Sequence, residues 1–473
     1  MQYRDLREFI GAVEKMGELS VVKGVDWDVD LGEITDVLVH QLDTPMAVFD
    51  EIKDYLPGFR VAVNFTGSYK RLALLLGMEE VETGVRLVRA WRELRAQRRL
   101  LPPTPVIGSP VQENIREGKE VDLFELPVPK WHAHDGGRYI GTASMTITRD
   151  PENGVVNLGT YRHQVIDEKT LGCFFNEYGR HALVHARKYH QRGESCPVAV
   201  VVGGDPALFV FSPTHVPEGI SEYDCAGGLR GEPIPVFISD LTGLPLPASA
   251  EIIVEGEMRP GDEVKEGPFG EWTGYYGAPE ARRPAIRVNR IMFRHNPIIL
   301  GYSPCRPPSN NTLLRSLQAS ATIWDAMEAA GVPEVKGVWC HESGGGRLFN
   351  VVAIKQLFPG HARQAGLIAS HCREAIRMGR YVVVTDEDID IANLSEVVWA
   401  MSTRSDPRRS IEIISRTLGG DLNTAAPPEE VYTSRAIIDA CRPFEWKDRF
   451  APTVGVSPER AREIKRKWPE LFR

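Results

Sequence analysis

The sequence predicts an α+β protein of three units: a mixed α/β segment over residues 1–105, a β-rich middle over 106–312, and an α/β segment with an extended tail and terminal helix over 313–473. Three observations carry this expectation. A chain of 473 residues has room for about three domains of ~150 residues. Hydrophobic residues at 42% and charged residues at 25% are ordinary for a globular protein, so disorder does not dominate. The periodicity of apolar residues also changes twice, from alternating helix and strand spacing to short β-type runs and back again.

In the first unit, Leu6, Phe9, Ile10 and Val13 recur at helical spacing, and Gly17 follows where a C-terminal cap falls. "MAVFDEI" and "RVAVNFTGS" read as strands, and "VETGVRLVRAWRELRAQRRL" as a helix with a solvated basic face. "LPPTPVIGSP" and "LPVPKWHAHDGG" are rich in Pro and turn residues and read as a connector that wraps rather than folds alone. From about Tyr139 to Tyr302, runs such as "SMTITRD", "GVVNLGTYRHQVI", "CPVAVVVGG", "SAEIIVEGEM" and "AIRVNRIMFR" predict a mainly antiparallel sheet or barrel, interrupted by the helix "NEYGRHALVHARKYHQ". After "CRPPSNNT", segments from "ATIWDAMEAA" to "RSIEIIS" alternate between helix and strand, which predicts an α/β layer. The tail from Leu422 has little pattern until "SPERAREIKRKWPELF", where Ser457 can cap, Pro458 suits the first helical position and Glu459 favours the dipole. Such a tail is suited to packing on a partner subunit, so a homodimer or higher homo-oligomer is expected.

A net charge of −8 argues against a nucleic-acid surface. No apolar run approaches the ~18 residues of a membrane span, and "MQYRDLREF" does not read as a signal peptide, so a cytoplasmic location is expected. The seven cysteines are scattered without a CxxC pair, which suggests neither a disulfide framework nor a thiolate metal site.

The stretch with the most chemistry is "EGPFGEWTGYY". It places Glu266 and Glu271 on either side of a Gly-Pro-Phe-Gly hinge, so their carboxyl groups can converge, with Trp272, Tyr275 and Tyr276 as apolar walls. In "NLGTYRHQ", Asn157 and Arg162 fall on one expected strand. Five residues apart, they face opposite sides unless a bulge intervenes. His181 and His185 stand at i, i+4 on the helix, a spacing shared by metal ligands and by ordinary histidine pairs. Glu222 in "SEYDCAGGLRG" and Ser212 in "VFSPTHVPEG" read as helix-cap or loop residues unless the fold brings them to a common point. Asn, His and Glu together would suit a hard divalent ion clamping a phosphate. "DEDIDI" reads as a solvated acidic turn, and "HESGGGR" as a flexible loop.

In order along the chain, "NLGTYRHQ", "SEYDCAGGLRG", "EGPFGEWTGYY" and "WAMSTR" resemble the UbiD family of reversible decarboxylases. The resemblance spans nearly the whole chain. It implies a central split β-barrel flavin-binding domain and an oligomer. It also implies prenylated FMN (prFMN) supplied by a partner flavin prenyltransferase, with Mn²⁺ or another divalent metal, and K⁺, at the cofactor phosphate. By motif, Asn157, His181 and Glu222 are implied metal ligands, and Asn157, Leu158, Thr160, Tyr161 and Arg162 line the flavin and its phosphate. Arg180, Ser212 and Pro213 are further cofactor contacts, and Arg380 stands where the family often has a phosphate-binding lysine. Arg162, Glu266 and Glu271 resemble the family's catalytic Glu-Arg-Glu group, with Glu271 as proton donor where some members have Asp.

The implied reaction is reversible, non-oxidative decarboxylation of an aromatic, heteroaromatic or α,β-unsaturated acid to release CO₂, with the flavin as electron sink. "YSPCRPPSNNT" would close the substrate side, with Arg306, Asn310 and Asn311 able to read ring substituents, or would serve only as a connector. Alternatives stay open: a flavin oxidoreductase on the same kind of barrel, a polyprenyl-hydroxybenzoate decarboxylase of quinone biosynthesis, a glycosidase using the acid pair, or a non-catalytic flavin binder.

Overall fold

The computed structural model describes every residue except 42, 176–180, 215, 218, 377–378, 421, 428–429, 431 and 473. Its opening helix, Leu6–Lys15, buries Leu6, Phe9 and Val13, and Asp5 caps it by accepting the Glu8 N–H at 2.8 Å. Gly17 then turns the chain with φ +72°, a region where only glycine is unstrained. The first sheet runs Leu19–Lys23, Met46–Asp50, Arg60–Val63 and Ile298–Leu300. Its last strand comes from the far end of the β-rich middle, so residues far apart in sequence complete one sheet.

The central sheet has ten strands. Eight form a path, Arg138–Gly141, Arg162–Asp167, Thr170–Phe174, Ala281–Phe293, Ile252–Met258, Cys196–Val202, Met145–Arg149 and Val156–Gly159, antiparallel throughout, and Asn114–Glu117 and Glu263–Glu266 each pair with Ala281–Phe293. Val156–Gly159 therefore lies at one edge and Arg162–Asp167 next to the other. In a flat sheet those two strands would sit roughly 29 Å apart, at ~4.8 Å per strand. Only Thr160 and Tyr161 join them, and the chain from Gly159 to Arg162 reaches at most about 11 Å. The sheet must therefore curl into a half-barrel. "GVVNLGTYRHQVI" is accordingly two strands rather than one. The break at Thr160–Tyr161 removes the parity problem, because Asn157 and Arg162 belong to opposite ends of the curled sheet.

A five-stranded mixed sheet follows, in the order Val335–Cys340, Phe349–Ile354, Tyr381–Asp386, Tyr432–Asp439 and Ile411–Leu418. Helices Thr312–Ala329 and His361–His371 pack on it. Here "DEDIDI" is the exposed acidic turn expected at Glu387, Asp388 and Asp390, but it is pinned rather than loose. Arg404, buried at the end of "WAMSTR", forks onto Asp388 at 2.9 and 2.8 Å and reaches Asp386 at 3.3 Å. The "HESGGGR" segment is likewise a packed turn rather than a loose loop: a Cβ on Gly345 would meet the Trp272 ring at 2.6 Å. The terminal helix Pro458–Lys467 is capped by Ser457 and leaves Trp468, Leu471 and Phe472 exposed. No helix among the described residues is long and apolar enough to cross a membrane.

Candidate active site

Two neighbouring elements meet at Arg162, the first residue of its strand. The strand Glu263–Glu266 pairs with Ala281–Phe293 and ends on Glu266, whose carboxylate accepts both Nε and Nη2 of Arg162, at 2.7 and 2.9 Å. That two-point fork is the strongest geometry an arginine and a carboxylate form. The chain then turns through Gly267, whose φ of +92° requires glycine, and reaches Glu271, which accepts a further bond from Nη1 of Arg162. A tight turn fixes Glu271 itself: its N–H donates to the Tyr275 carbonyl at 3.1 Å, and its own carbonyl accepts from Gly274 at 2.8 Å.

All three charged side chains are buried, and the electrostatics divide them. Burial works against the charge on Arg162, but Glu271 and Glu266 outweigh it and hold the guanidinium above its ordinary range. Burial pushes Glu271 up to about 7, with the charge of Glu266 adding to the rise and Arg162 opposing it. Glu271 is thus a carboxyl able to carry a proton near neutral pH. The aromatic walls differ from those expected. Tyr275 and Tyr276 are 63% and 40% exposed, and only Trp272 of that trio is buried. Arg162 packs instead against Phe174, Phe269 and Tyr139, whose ring centroids lie 4.3, 5.0 and 5.9 Å from its guanidinium carbon. Phe174 stands directly opposite Arg162 in the strand register, a relation visible only once the strands are paired.

A cavity of about 280 Å³ is lined by Asn157, His181 and Glu222 together with His185, Lys188 and Arg373. Asn157 Oδ1 lies 3.2 Å from His181 Nδ1. Glu222 opens the helix Glu222–Arg230 and accepts the Leu158 N–H at 2.8 Å. Burial pushes Glu222 up to about 7, and among the described residues no cation offsets it. A buried carboxyl lacking a cation, beside an amide and an imidazole, is a donor set that suits a hard divalent ion. These residues therefore fit the metal that the resemblance implies. His185 does not join the set through Nδ1, which lies 2.9 Å from Thr148 Oγ1.

Thr160 and Ser212 meet, with their hydroxyls 2.8 Å apart and the Thr160 N–H donating to the Ser212 carbonyl, and Pro213 follows. Leu158 turns its side chain into the apolar core, leaving only backbone for a ligand, and Tyr161 packs edge-on against Phe175. Arg180 lies outside the described residues. Arg380 does not line the cavity of Asn157, His181 and Glu222. It bonds to Asn423 Oδ1 and lines a separate cavity of about 530 Å³ with Trp272 and Leu422. The cation that the second unit's cavity receives from the C-terminal unit is Arg373, just past the helix His361–His371. Lying outside every quoted motif, it left no signal in the sequence.

Residues 10–91, 106–307 and 312–440 match in turn the N-terminal, Rift-related and C-terminal domains of 3-octaprenyl-4-hydroxybenzoate carboxy-lyase. The enzyme class is therefore that of the carboxy-lyases. The chain belongs to the UbiD family of decarboxylases. It is 32% identical to the phenolic acid decarboxylase of Streptomyces sp. (strain D7), over 98% of this chain and 97% of that protein. The open form of the vanillic acid decarboxylase of Sedimentibacter hydroxybenzoicus superposes with a TM-score of 0.87 at 27% identity, covering 100% of both chains. The UbiD-class enzyme HmfF of Pelotomaculum thermopropionicum, in complex with FMN, gives 0.85 at 27% identity over 97% of this chain and 98% of that one. An evolved dimeric form of HmfF in complex with prFMN gives 0.82 at 26% identity, over the same shares.

Proposed function

We propose that this enzyme removes the carboxyl group of a hydroxylated aromatic acid using prFMN, with Arg162, Glu266 and Glu271 as its catalytic group. The observation that carries this reading is a buried arginine fixed by one carboxylate and in contact with a second that can be protonated near neutral pH. Relatives that act on phenolic and vanillic acids support the substrate class. Asn157, His181 and Glu222 would hold a divalent metal, Mn²⁺ by family resemblance and with K⁺ beside it, against the cofactor phosphate. Thr160 to Arg162 and the Ser212–Pro213 turn would border the flavin.

When bound, the prenylated flavin supplies an electrophilic centre that takes up the electrons left by the departing CO₂. Arg162 has five N–H donors, and three are engaged by Glu266 and Glu271. The remaining two are placed to orient a substrate carboxylate, while Glu266 keeps the guanidinium plane from turning. Glu271, protonated, returns a proton to the ring carbon after CO₂ leaves. Arg315 sits beside this group with its guanidinium carbon 5.5 Å from the Trp272 centroid. Its charge lowers Glu271, and among the described residues it has no hydrogen-bond or ion-pair partner for its side chain. We assign it to a phenolic oxygen of the substrate. Arg315→Gln should raise KM for a hydroxylated benzoate by about tenfold and leave KM for the matching acid without the hydroxyl unchanged.

The direct test is protein co-expressed with a flavin prenyltransferase and purified without oxygen. The expected results are prFMN in the released ligand, by mass and absorbance, CO₂ from phenolic acids, and one deuterium in the product made in D₂O. Plain FMN with no CO₂ from any aromatic acid would overturn the reading in favour of an oxidoreductase. Glu222→Ala should release several-fold less flavin and metal than wild type, since loss of a metal ligand or its supporting contacts costs about 10- to 100-fold in metal affinity.

A further inference from the structure

Glu266 and Glu271 are not held equally. Glu266 is fixed by strand pairing and a two-point fork, whereas Glu271 meets Arg162 through a single nitrogen. The position of its carboxyl therefore depends on its backbone, and that backbone is gripped from outside by "WHAHDGG", a segment to which the chemistry above gives no role. Asp135 Oδ1 accepts the N–H of Gly270, the residue before Glu271, at 3.0 Å. Its Oδ2 accepts the His132 N–H at 2.9 Å and lies 3.4 Å from His132 Nδ1. One residue further on, the Gly136 N–H donates to the Pro268 carbonyl at 2.8 Å. The fit leaves no slack: a Cβ on Gly136 would stand 2.0 Å from the Gly267 oxygen, and one on Gly270 would stand 3.0 Å from His132 Nδ1.

The far side of His132 is anchored as well. Nε2 lies 3.4 Å from Asp36 Oδ1, on the helix Asp30–Val39, and 3.2 Å from Ser303 Oγ, which itself donates to Asp36 at 3.1 Å. Burial opposes the imidazolium, but Asp135 and Asp36 outweigh it and hold its pKa up at about 9. Tyr276 from the catalytic turn and Cys305 from the segment after Ser303 also face the two aspartates. His132 is thus a partly buried imidazole between two carboxylates that favour its charged form, and it joins the helix Asp30–Val39 to the catalytic turn.

We propose that Asp135, backed by His132 and Asp36, is a positioning residue that sets where Glu271 stands relative to Arg162 by holding the Gly270 N–H. This rests on the reading of Glu271 as proton donor. A lost backbone anchor lets the Glu271 turn drift while leaving Arg162, Glu266 and the metal ligands in place, so the proton-delivery step suffers and substrate binding does not.

The test uses holoenzyme co-expressed with a flavin prenyltransferase and a phenolic acid that the wild type decarboxylates. Asp135→Ala should lower kcat by roughly 10- to 100-fold, the loss that a displacement of about 1 Å costs, with KM and bound flavin unchanged. The Glu271 limb of its pH profile should shift. Asp135→Asn keeps an oxygen for Gly270 and should recover kcat to within about threefold of wild type, because the hydrogen bond survives though the charge does not. If Asp135→Ala does not fold, His132→Gln, which leaves Asp135 in place but removes its cation, should give an intermediate kcat loss. Wild-type kcat and pH profile in Asp135→Ala would overturn the proposal, as would equal losses of kcat and bound flavin in the Ala and Asn variants. A wild type that decarboxylates no aromatic acid would instead bring down the underlying reading, and the proposal with it.

Discussion

Glu271→Gln is expected to lose decarboxylation by about 10²- to 10⁴-fold, the range that general acid catalysis supplies, while retaining its flavin. Glutamine keeps the size of the side chain and an oxygen for Arg162 Nη1, so the geometry around Arg162 survives, but an amide has no proton to give. The pH dependence of the wild type follows from the same residue. Burial holds Glu271 near 7, so kcat should fall as pH rises through about 7 and the donor loses its proton. Stability carries the same sign. A folded-state pKa above the ordinary carboxylate value means that the folded protein binds a proton the unfolded chain has released. That contribution is complete below the unfolded value of 4.5 and is lost as pH rises through about 7. Glu271→Gln removes the slope, so its Tm should gain on wild type between those pH values. Steady-state kinetics and Tm measured across that range decide the matter: wild-type CO₂ release from the glutamine variant would end the proton-donor assignment.

The acid pair was legible because local chemistry wrote it: two glutamates five apart across a Gly-Pro-Phe-Gly hinge can converge with little help from the rest of the chain. The change from mixed helix and strand to short antiparallel strands and back was legible for the same reason, since apolar periodicity is a local signal. What surrounds Arg162 was not, because Phe174 and Tyr139 arrive by strand register from the two strands that flank its own, and neither relation exists before strands pair. The aromatic residues adjacent in sequence, Tyr275 and Tyr276, were a misleading substitute: the turn that positions Glu271 sends them outward. Parity did give a correct warning about Asn157 and Arg162. Its resolution, a break of two residues and a curl of the whole sheet, needed the strand order. For Arg380 the limit was plainer: its place just before "YVVVTD" says where a side chain starts and nothing about which cavity it enters, and it lines the cavity of Trp272 while Lys188 and Arg373 line that of Asn157.

Arg162→Met should be the most damaging single change to stability in the site, and the way it fails is informative. Removing the cation leaves Glu266, 1% exposed, and Glu271, 8% exposed, as buried carboxylates facing each other. Breaking a buried ion pair by deleting one partner costs about 3–5 kcal/mol, because the remaining charge has neither water nor a partner. The two groups can escape that cost only by taking up protons, which places their folded-state pKa values above those of the unfolded chain. Stability then is retained at low pH and drains away as pH rises through those values, so the Tm of Arg162→Met should fall more steeply with pH than that of wild type. Adding Glu266→Gln should restore part of the lost Tm, since it removes one of the unpaired charges, and this double-mutant cycle isolates the pair from general packing loss. Arg162→Lys separates charge from shape. An ammonium keeps a positive charge between the acids, so Tm should largely hold, but it cannot fork onto Glu266 and present a planar edge to a substrate carboxylate at the same time. Its kcat should therefore fall by about 100-fold or more, as misoriented reacting groups do. If lysine instead restored activity along with stability, Arg162 would be acting only as a buried charge, and the orientation of the substrate carboxylate would have to come from elsewhere. Arg315 would then be the group to test, because it lies beside Glu271 with no side-chain hydrogen bond or ion pair among the described residues.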